Sequence, residues 1–245
     1  MTLSNSSDDA ALREWLLSMT SATATNMLNL RGYQHQFMTG ALPIQTGGRA
    51  CGRAVTVRLG PARPDLTLPQ EARHQEPLWL AIESIEPGDF LVVDCGGDVQ
   101  AGTTGDILAA RVKRRGGVGI VVDGALRDAA QIRDLVELPC WSRGVHGSGF
   151  TAAMVCLDWG LAVRCCGVTV LSGDYILADD DGLVAIPAAL AAEVAADGGE
   201  TELKETFIRG LVQQGVPIAE CYPPTDEVLQ QFHTWKHEQR PERNR

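Results

Sequence analysis

The sequence predicts one α/β domain with helices at both ends. Helix, strand and helix patterns alternate over residues 105–135, which is typical of part of a βαβ unit. Short apolar runs between residues 162 and 186 are separated by Gly or Asp turns, as in a β-meander. A chain of 245 residues with 44% hydrophobic content is large enough to bury the core of such a domain.

The N-terminal part reads as two helices and a strand. Apolar residues from Leu12 to Met19 recur at helical spacing, and a second helix is predicted over residues 24–30. A strand over residues 54–59 follows. The proline-rich residues 60–77 indicate a long connection, and long ordered loops are often functional. Its Arg63, Arg73 and His74 are therefore candidates to cover a site.

The middle of the chain contains the candidate functional residues. An apolar run at residues 90–94 is of strand length, and the turn Gly102-Thr-Thr-Gly105 then opens a helix. The β-branched run at residues 118–122 is typical of a strand that is buried on both faces of a parallel sheet. Arg127 and Asp128 follow the end of that strand.

The Gly105 turn and the Arg127-Asp128 pair form a candidate site. A helix N-terminus exposes unpaired N–H groups and positive dipole character, so the turn is a candidate carboxylate or phosphate cradle. Ligands collect at the carboxyl ends of strands in α/β sheets, which makes Arg127 a candidate cationic anchor and Asp128 a candidate metal ligand. The alternatives are an ordinary strand-to-helix corner at Gly105 and a surface ion pair or helix-initiating aspartate at Asp128.

The C-terminal third is predicted to be a meander followed by helices. A short strand is expected at residues 138–141. Asp179-Asp180-Asp181-Gly182 lacks the alternating spacing and the distal Glu of an EF-hand, so it is predicted to be a turn between strands. Helices are expected over residues 188–196 and 200–214, and a last helix starts near Thr225.

The composition of the chain limits the classes of binding partner that we expect. The formal charge of −10 argues against a nucleic-acid surface, which needs clustered basic residues. The chain shows no signal-peptide pattern at its start and no apolar run near the ~20 residues of a membrane span. We therefore expect a cytoplasmic protein with neither nucleic-acid nor membrane partners. Seven cysteines without a CxxC pair favour buried small hydrophobic residues over a zinc site or a nucleophile.

An ordered set of motifs resembles the RraA-like family. The matching segments are Gly88-Asp-Phe-Leu-Val-Val-Asp94, Gly105-Asp-Ile-Leu108, Gly119-Ile-Val-Val-Asp-Gly124, Arg127-Asp128, Gly167-Val-Thr-Val and Asp181-Gly-Leu-Val-Ala-Ile-Pro187. That family includes divalent-metal-dependent 4-hydroxy-4-methyl-2-oxoglutarate aldolases, which also decarboxylate oxaloacetate, and the regulator of ribonuclease activity A. The ending from Tyr222 resembles a longer branch, so we assign residues 1–215 to an RraA-like domain and residues 216–245 to a C-terminal helical extension.

The resemblance implies a fold and a set of roles. It implies an α/β fold with a central β-sandwich or barrel-like core, flanked by helices and assembled as a homotrimer or homohexamer. It also implies that the N–H groups of Asp106, Ile107 and Leu108 in the Gly105 turn hold the substrate carboxylate. Arg127 would contact the carbonyl and developing enolate oxygen, and Asp128 would coordinate Mg²⁺ or Mn²⁺. Glu205, in a late Lys-Glu pair, would reach the metal of the neighbouring subunit through water.

One position departs from the family pattern. The aldolases carry Glu or Asp three residues after the aspartate, where this chain has Gln131. An amide is a candidate to contact the metal through water but brings no negative charge.

Three functions follow from the resemblance. The first is a divalent-metal-dependent lyase that cleaves a 4-hydroxy-2-oxo acid or decarboxylates oxaloacetate through a pyruvate enolate. The alternatives are a dehydratase of a related oxo sugar acid and a non-catalytic, protein-binding regulator of the ribonuclease E inhibitor type.

Overall fold

The centre of the fold is a mixed sheet that curls into a half-barrel, in a computed structural model that describes residues 6–238. In chain order the strands are β1 (Phe37–Met38), β2 (Leu42–Pro43), β3 (Ala50–Pro61), β4 (Asp89–Asp94), β5 (Gly119–Leu126), β6 (Cys140–Val145), β7 (Met154–Trp159), β8 (Val163–Cys165), β9 (Val168–Val170), β10 (Tyr175–Ala178) and β11 (Leu183–Ile186). The α-helices are α1 (Ser6–Leu16), α2 (Ser21–Leu30), α3 (Pro77–Ser84), α4 (Asp106–Arg114), α5 (Ala129–Gln131), α6 (Ala191–Gln213), α7 (Ile218–Cys221) and α8 (Asp226–Glu238).

The parallel part of the sheet is built by βαβ units. Strands β3, β4, β5 and β6 lie side by side and are parallel, and helices α3, α4 and α5 make the three crossovers between them. Antiparallel strands extend this core on both sides in the order β1-β11-β10-β3-β4-β5-β6-β2, and β7 also pairs with β3. Strands β8 and β9 form a separate hairpin. The predicted α/β fold, with its barrel-like core and flanking helices, is confirmed.

Alternate residues of the central strands face different layers. In β4, Leu91 and Val93 pack in the cluster beneath α3 and α4, whereas Phe90 and Val92 pack on the opposite face with the β8–β9 hairpin. All residues of β5 are buried. Burial on both faces explains why these strands read as continuous apolar runs in the sequence.

A third apolar cluster joins the helical ends to the sheet. Leu16 at the end of α1 and Met19 in the turn after it pack with Val194 of α6 against Leu177 of β10 and Val184 of β11. Asp179 in the β10–β11 turn accepts hydrogen bonds from the backbone N–H and the hydroxyl of Ser21, each at 2.7 Å. The aspartate-rich segment is therefore a turn between strands, as predicted, and it also caps α2.

The structure differs from the predicted secondary structure at two places. Strand β7 was not predicted, although residues 152–157 form a continuous apolar run. The two helices predicted over residues 188–196 and 200–214 are one helix, α6, which runs through Gly198 and Gly199. Tertiary packing explains the continuity, since a Cβ at Gly198 would collide with Sδ of buried Met19. The glycines let α1 approach α6 closely, and this contact outweighs their low helix propensity.

The C-terminal helices have a small core of their own. Ile208 of α6, Cys221 of α7 and Val228 of α8 are buried together with the half-buried Phe207 and Leu211. Thr225 caps α8 through the Val228 N–H at 3.4 Å. The boundary at residue 215 stays a prediction, and residues 239–245 of the predicted extension lie outside the described residues.

Substitutions at two glycines of α6 are expected to have opposite effects. Gly198→Ala should lower the free energy of unfolding by about 1–3 kcal/mol, because the new methyl group overpacks the contact with Met19. Gly210→Ala should raise it by about 0.5–1 kcal/mol, because a Cβ at Gly210 meets no atom of the described residues within 4 Å and alanine favours the helix. Urea unfolding measures both values. Equal effects at the two positions would contradict the packing explanation.

Candidate functional site

The turn before α4 lies against the end of β5. Gly102 bridges both Ala125 and Gly149, and the Thr103 N–H donates to the Ala125 carbonyl at 2.9 Å. The Arg127 N–H donates to the Thr104 carbonyl at 3.0 Å. A Cβ at Gly102 would lie 2.7 Å from the His146 carbonyl oxygen and 2.8 Å from Cβ of Arg127. Glycine is therefore required at Gly102 by close backbone approach, and this pairing places the start of α4 beside Arg127.

Arg127 and Asp128 meet over the N-terminus of α4. Nε of Arg127 lies 3.2 Å from Oδ2 of Asp128, and the two side chains are 48% and 32% exposed. A Cβ at Gly105 would lie 2.8 Å from the same Oδ2 atom. Asp128 has φ 55° and ψ 37°, a left-handed conformation that Asp and Asn adopt more readily than other residues with a side chain. The carboxylate is thus held against the helix start by a strained backbone.

The first N–H groups of α4 have no carbonyl acceptor within the helix. The first intrahelical bond runs from the Ala109 N–H to the Gly105 carbonyl. The Ile107 N–H donates to Oδ1 of Asp106 at 2.9 Å. In the part of the chain that the structure describes, the N–H groups of Asp106 and Leu108 have no acceptor, so these two are available to an anion.

A cleft of about 340 Å³ brings most of the predicted site residues together. Residues from four sequence regions line it: Arg73, Trp79, Gly102, Thr103, Gly105, Asp106, Ile107, Leu108, Arg127, Asp128, Gly149, Phe150 and Thr151. Of the candidates on the long connection, Arg73 reaches this cleft, whereas Arg63 pairs with Asp65. Trp79, Phe150 and Thr151 were not among the predicted residues, since no motif marked them.

Two predicted residues lie elsewhere in the same chain. Gln131 is exposed on α5 and is not part of the cleft lining. Glu205 lines a separate surface cavity with Arg209 and Tyr222. The role given to Glu205 requires a second subunit, so a single chain leaves that role a prediction.

Two buried acids near the strand ends are structural. Asp94 accepts hydrogen bonds from the N–H groups of Gly96 and Arg164, and Asp123 accepts from the Arg143 guanidinium and the Cys166 N–H. The bonds from Arg164 and Cys166 tie β4 and β5 to the β8–β9 hairpin. Burial raises the pKa of Asp94, and its two backbone hydrogen bonds oppose that rise.

The cysteines behave as buried apolar residues. All seven are buried, and burial raises the thiol pKa of Cys51 and of Cys156 to about 12. Among residues 6–238, no three His, Cys, Asp or Glu side chains form a group that could hold a metal ion. A closed zinc site of the structural type therefore finds no support in that part of the chain.

Sequence comparison decides the family. A family model described as RraA-like, Aldolase/RraA, matches residues 8–185. The chain belongs to the RraA-like family. A crystal structure of Streptomyces coelicolor RraAS2, described as an unusual member of the RNase ES inhibitor RraA protein family, is 34% identical in sequence with a TM-score of 0.74. The match covers 82% of this chain and 96% of that one.

Curated RraA-like relatives match shorter stretches. A Halalkalibacterium halodurans protein named "Putative 4-hydroxy-4-methyl-2-oxoglutarate aldolase" is 33% identical over 107 residues, which are 44% of this chain and 50% of that protein. An Alkalilimnicola ehrlichii protein of the same name is 35% identical over 101 residues, or 40% of this chain and 62% of that protein. The match spans less than two thirds of either relative. No helix in the described part of this RraA-like chain is long and apolar enough to cross a membrane.

The left-handed backbone of Asp128 predicts which substitutions preserve the site. Asp128→Asn should change the free energy of unfolding little, whereas Asp128→Ala should lower it by about 1 kcal/mol, because alanine tolerates this conformation poorly. Urea unfolding of both variants measures the difference. Asp134, in an exposed Arg-Asp pair outside the cleft, is the matched control, and there the two substitutions should differ little. A smaller difference at Asp128 than at Asp134 would refute the strain argument.

Proposed function

We propose that this RraA-like protein is a metal-dependent carbon–carbon lyase that acts on a 2-oxo acid. One observation carries the proposal: free N–H groups of α4, the Arg127 guanidinium and the Asp128 carboxylate line a single cleft. The relatives named as aldolases support an aldolase-type function. The reaction would cleave a 4-hydroxy-2-oxo acid or decarboxylate oxaloacetate.

The start of α4 would bind the substrate carboxylate. Within residues 6–238 the N–H groups of Asp106 and Leu108 have no acceptor and can donate to an anion, and the positive end of the helix dipole adds to the attraction. Gly105 leaves room for this approach because it has no side chain between the helix start and Asp128. The substrate carboxylate then fixes the position of the adjacent keto group.

Arg127 would stabilise the charge that develops on the keto oxygen. In retro-aldol cleavage the 4-hydroxyl loses its proton, the C3–C4 bond breaks, and the electron pair moves onto the oxygen at C2. The products are an aldehyde or ketone and pyruvate enolate, which takes up a proton at C3. A guanidinium donates charge-assisted hydrogen bonds to that oxygen, and donors of this kind commonly contribute ~100-fold or more to rate.

The donor set suits a hard divalent cation. Asp128 and Asp106 both line the cleft, and Mg²⁺ is typically held by one or two carboxylates with waters completing its shell. Oδ2 of Asp128 has Arg127 as its polar neighbour and keeps lone pairs free for a cation. When bound, Mg²⁺ or Mn²⁺ would supply positive charge beside the keto oxygen.

Pyruvate release tests the proposal. Purified protein should release pyruvate from oxaloacetate or from a 4-hydroxy-2-oxo acid when Mg²⁺ or Mn²⁺ is present, and EDTA should stop the reaction. Asp128→Asn and Arg127→Gln should each lower kcat by about 100-fold or more. The matched controls are Asp134→Asn and Arg133→Gln, which change an exposed Arg-Asp pair outside the cleft and should keep full activity. Metal-independent pyruvate release, or equal losses in both pairs, would contradict the proposed roles.

Subunit mixing tests the role of Glu205. If Glu205 acts on the site of the neighbouring subunit, Asp128→Asn and Glu205→Gln should each reduce activity as pure oligomers. Co-refolded mixtures should regain activity, because some sites then combine an intact Asp128 with an intact Glu205. Glu200→Gln, on the same helix, is the control. Absence of recovery in mixtures that demonstrably share subunits would assign Glu205 to its own chain or to no site.

Two other functions are compatible with parts of this site. A dehydratase of an oxo sugar acid would use the same charge stabilisation with water as the leaving group, and product analysis distinguishes it from a lyase. A protein-binding regulator is favoured by the 34% identity to RraAS2 over 82% of the chain. Slower cleavage of RNA by a ribonuclease E when the protein is added, unchanged in Asp128→Asn, would support that alternative.

A further inference from the structure

The cleft continues beyond the residues that would bind a pyruvyl unit. Arg73 and Trp79 line both the cleft at α4 and an adjoining cavity of about 560 Å³, which Gln70, Glu71 and His74 also line. A pyruvyl unit is small and fills only a minor part of the combined space. A longer substrate held at α4 would therefore have space for its remainder past Arg73 and Trp79.

The guanidinium of Arg73 offers hydrogen-bond donors where the cleft meets the adjoining cavity. It lies in the 3-10 helix Gln70–Gln75 and is half-buried. Within residues 6–238 its guanidinium makes no hydrogen bond and has no carboxylate oxygen within 4.0 Å. By contrast, Arg63 pairs with Asp65, and Arg111 pairs with Glu83. A guanidinium without a partner is suited to a planar carboxylate, which it binds through two parallel hydrogen bonds.

Arg73 does not use its N–H donors to pair with the buried carboxylate of Glu76. Glu76 is buried, and burial raises the pKa of its carboxyl group, while the positive charge of Arg73 opposes that rise. The two groups do not form an ion pair within 4.0 Å in the described chain. Arg73 therefore acts on Glu76 through its field and keeps its N–H groups available to the cleft.

Apolar surface lies next to this cation. Trp79, in the first turn of α3, is 38% exposed, and Ile107 of α4 is 79% exposed in the same cleft. Phe150 completes the outer part of the lining. These side chains offer contact to a carbon skeleton between the two ends of a substrate.

We propose that Arg73 and Trp79 select the part of the substrate that leaves: Arg73 binds an acidic group at its far end, and Trp79 packs against the carbon skeleton. The inference rests on the proposed function, because it takes the α4 end of the cleft as the 2-oxo acid end. It assigns to Arg73 a specificity role that is separate from the chemistry at Arg127.

A binding experiment tests this role without requiring turnover. The probes are 2-oxoglutarate and 2-oxopentanoate, which have the same chain length, lack the 4-hydroxyl needed for cleavage, and differ in the terminal group. With Mg²⁺ present, calorimetry should show 2-oxoglutarate binding about tenfold or more tightly to the wild-type protein. Arg73→Gln should remove that preference, Arg73→Lys should restore part of it, and Trp79→Ala should weaken both probes while keeping the preference.

The control variant is measured with the same two probes. Arg63→Gln lies on the same connection, outside the cleft, and should leave the preference unchanged. No preference in the wild type, or a preference that persists in Arg73→Gln, would overturn the inference.

Failure of the proposed function has a different signature. In that case the protein would release no pyruvate from 4-hydroxy-2-oxoglutarate or 4-hydroxy-2-oxopentanoate, whatever residue occupies position 73. If both compounds are cleaved and Arg73→Gln slows both reactions equally, the lyase activity is supported and the specificity role of Arg73 is refuted.

Discussion

The site depends on a backbone contact in which the segment before α4 lies against the end of β5. Two hydrogen bonds, from the N–H of Thr103 to Ala125 and from the N–H of Arg127 to Thr104, make this segment a short extension of the sheet. Glycine at Gly102 is what allows the approach, since a Cβ there would collide with the His146 carbonyl. Through this contact the first turn of α4 and the Arg127-Asp128 pair, which come from different crossovers, face one cleft.

The layered core keeps that contact in place. Strands β4 and β5 are buried on both faces, so their ends are positioned by α3 and α4 on one face and by the β8–β9 hairpin on the other. The carboxylates of Asp94 and Asp123 accept hydrogen bonds from that hairpin and so have a structural role. Asp128 differs because its backbone is left-handed and its carboxylate is turned towards the N-terminus of α4. Burial and hydrogen bonding thus separate structural acids from a functional candidate at neighbouring strand ends.

The sequence predicted the parts of this arrangement that depend on local patterns. Apolar runs marked β4 and β5, and the rule that ligands collect at strand ends linked the Gly105 turn to Arg127. Features that depend on tertiary contacts were missed: Gly198 looked like a helix break because its close contact with Met19 cannot be read from spacing. Likewise, the connection containing Arg73 was recognised as a candidate cover, but only the folded chain shows that Arg73 reaches the cleft and Arg63 does not.

The distribution of charge inside the cleft connects the site to its proposed substrate. The protein carries a net charge of −10, so its overall field repels an anionic acid, and local donors must overcome that repulsion. Arg127 and Arg73 supply two cations along the cleft, against the carboxylates of Asp106 and Asp128. Gln131 lies outside the cleft lining and is uncharged, so it does not enter this balance, and a cation in the proposed site would depend on the carboxylates of Asp128 and Asp106.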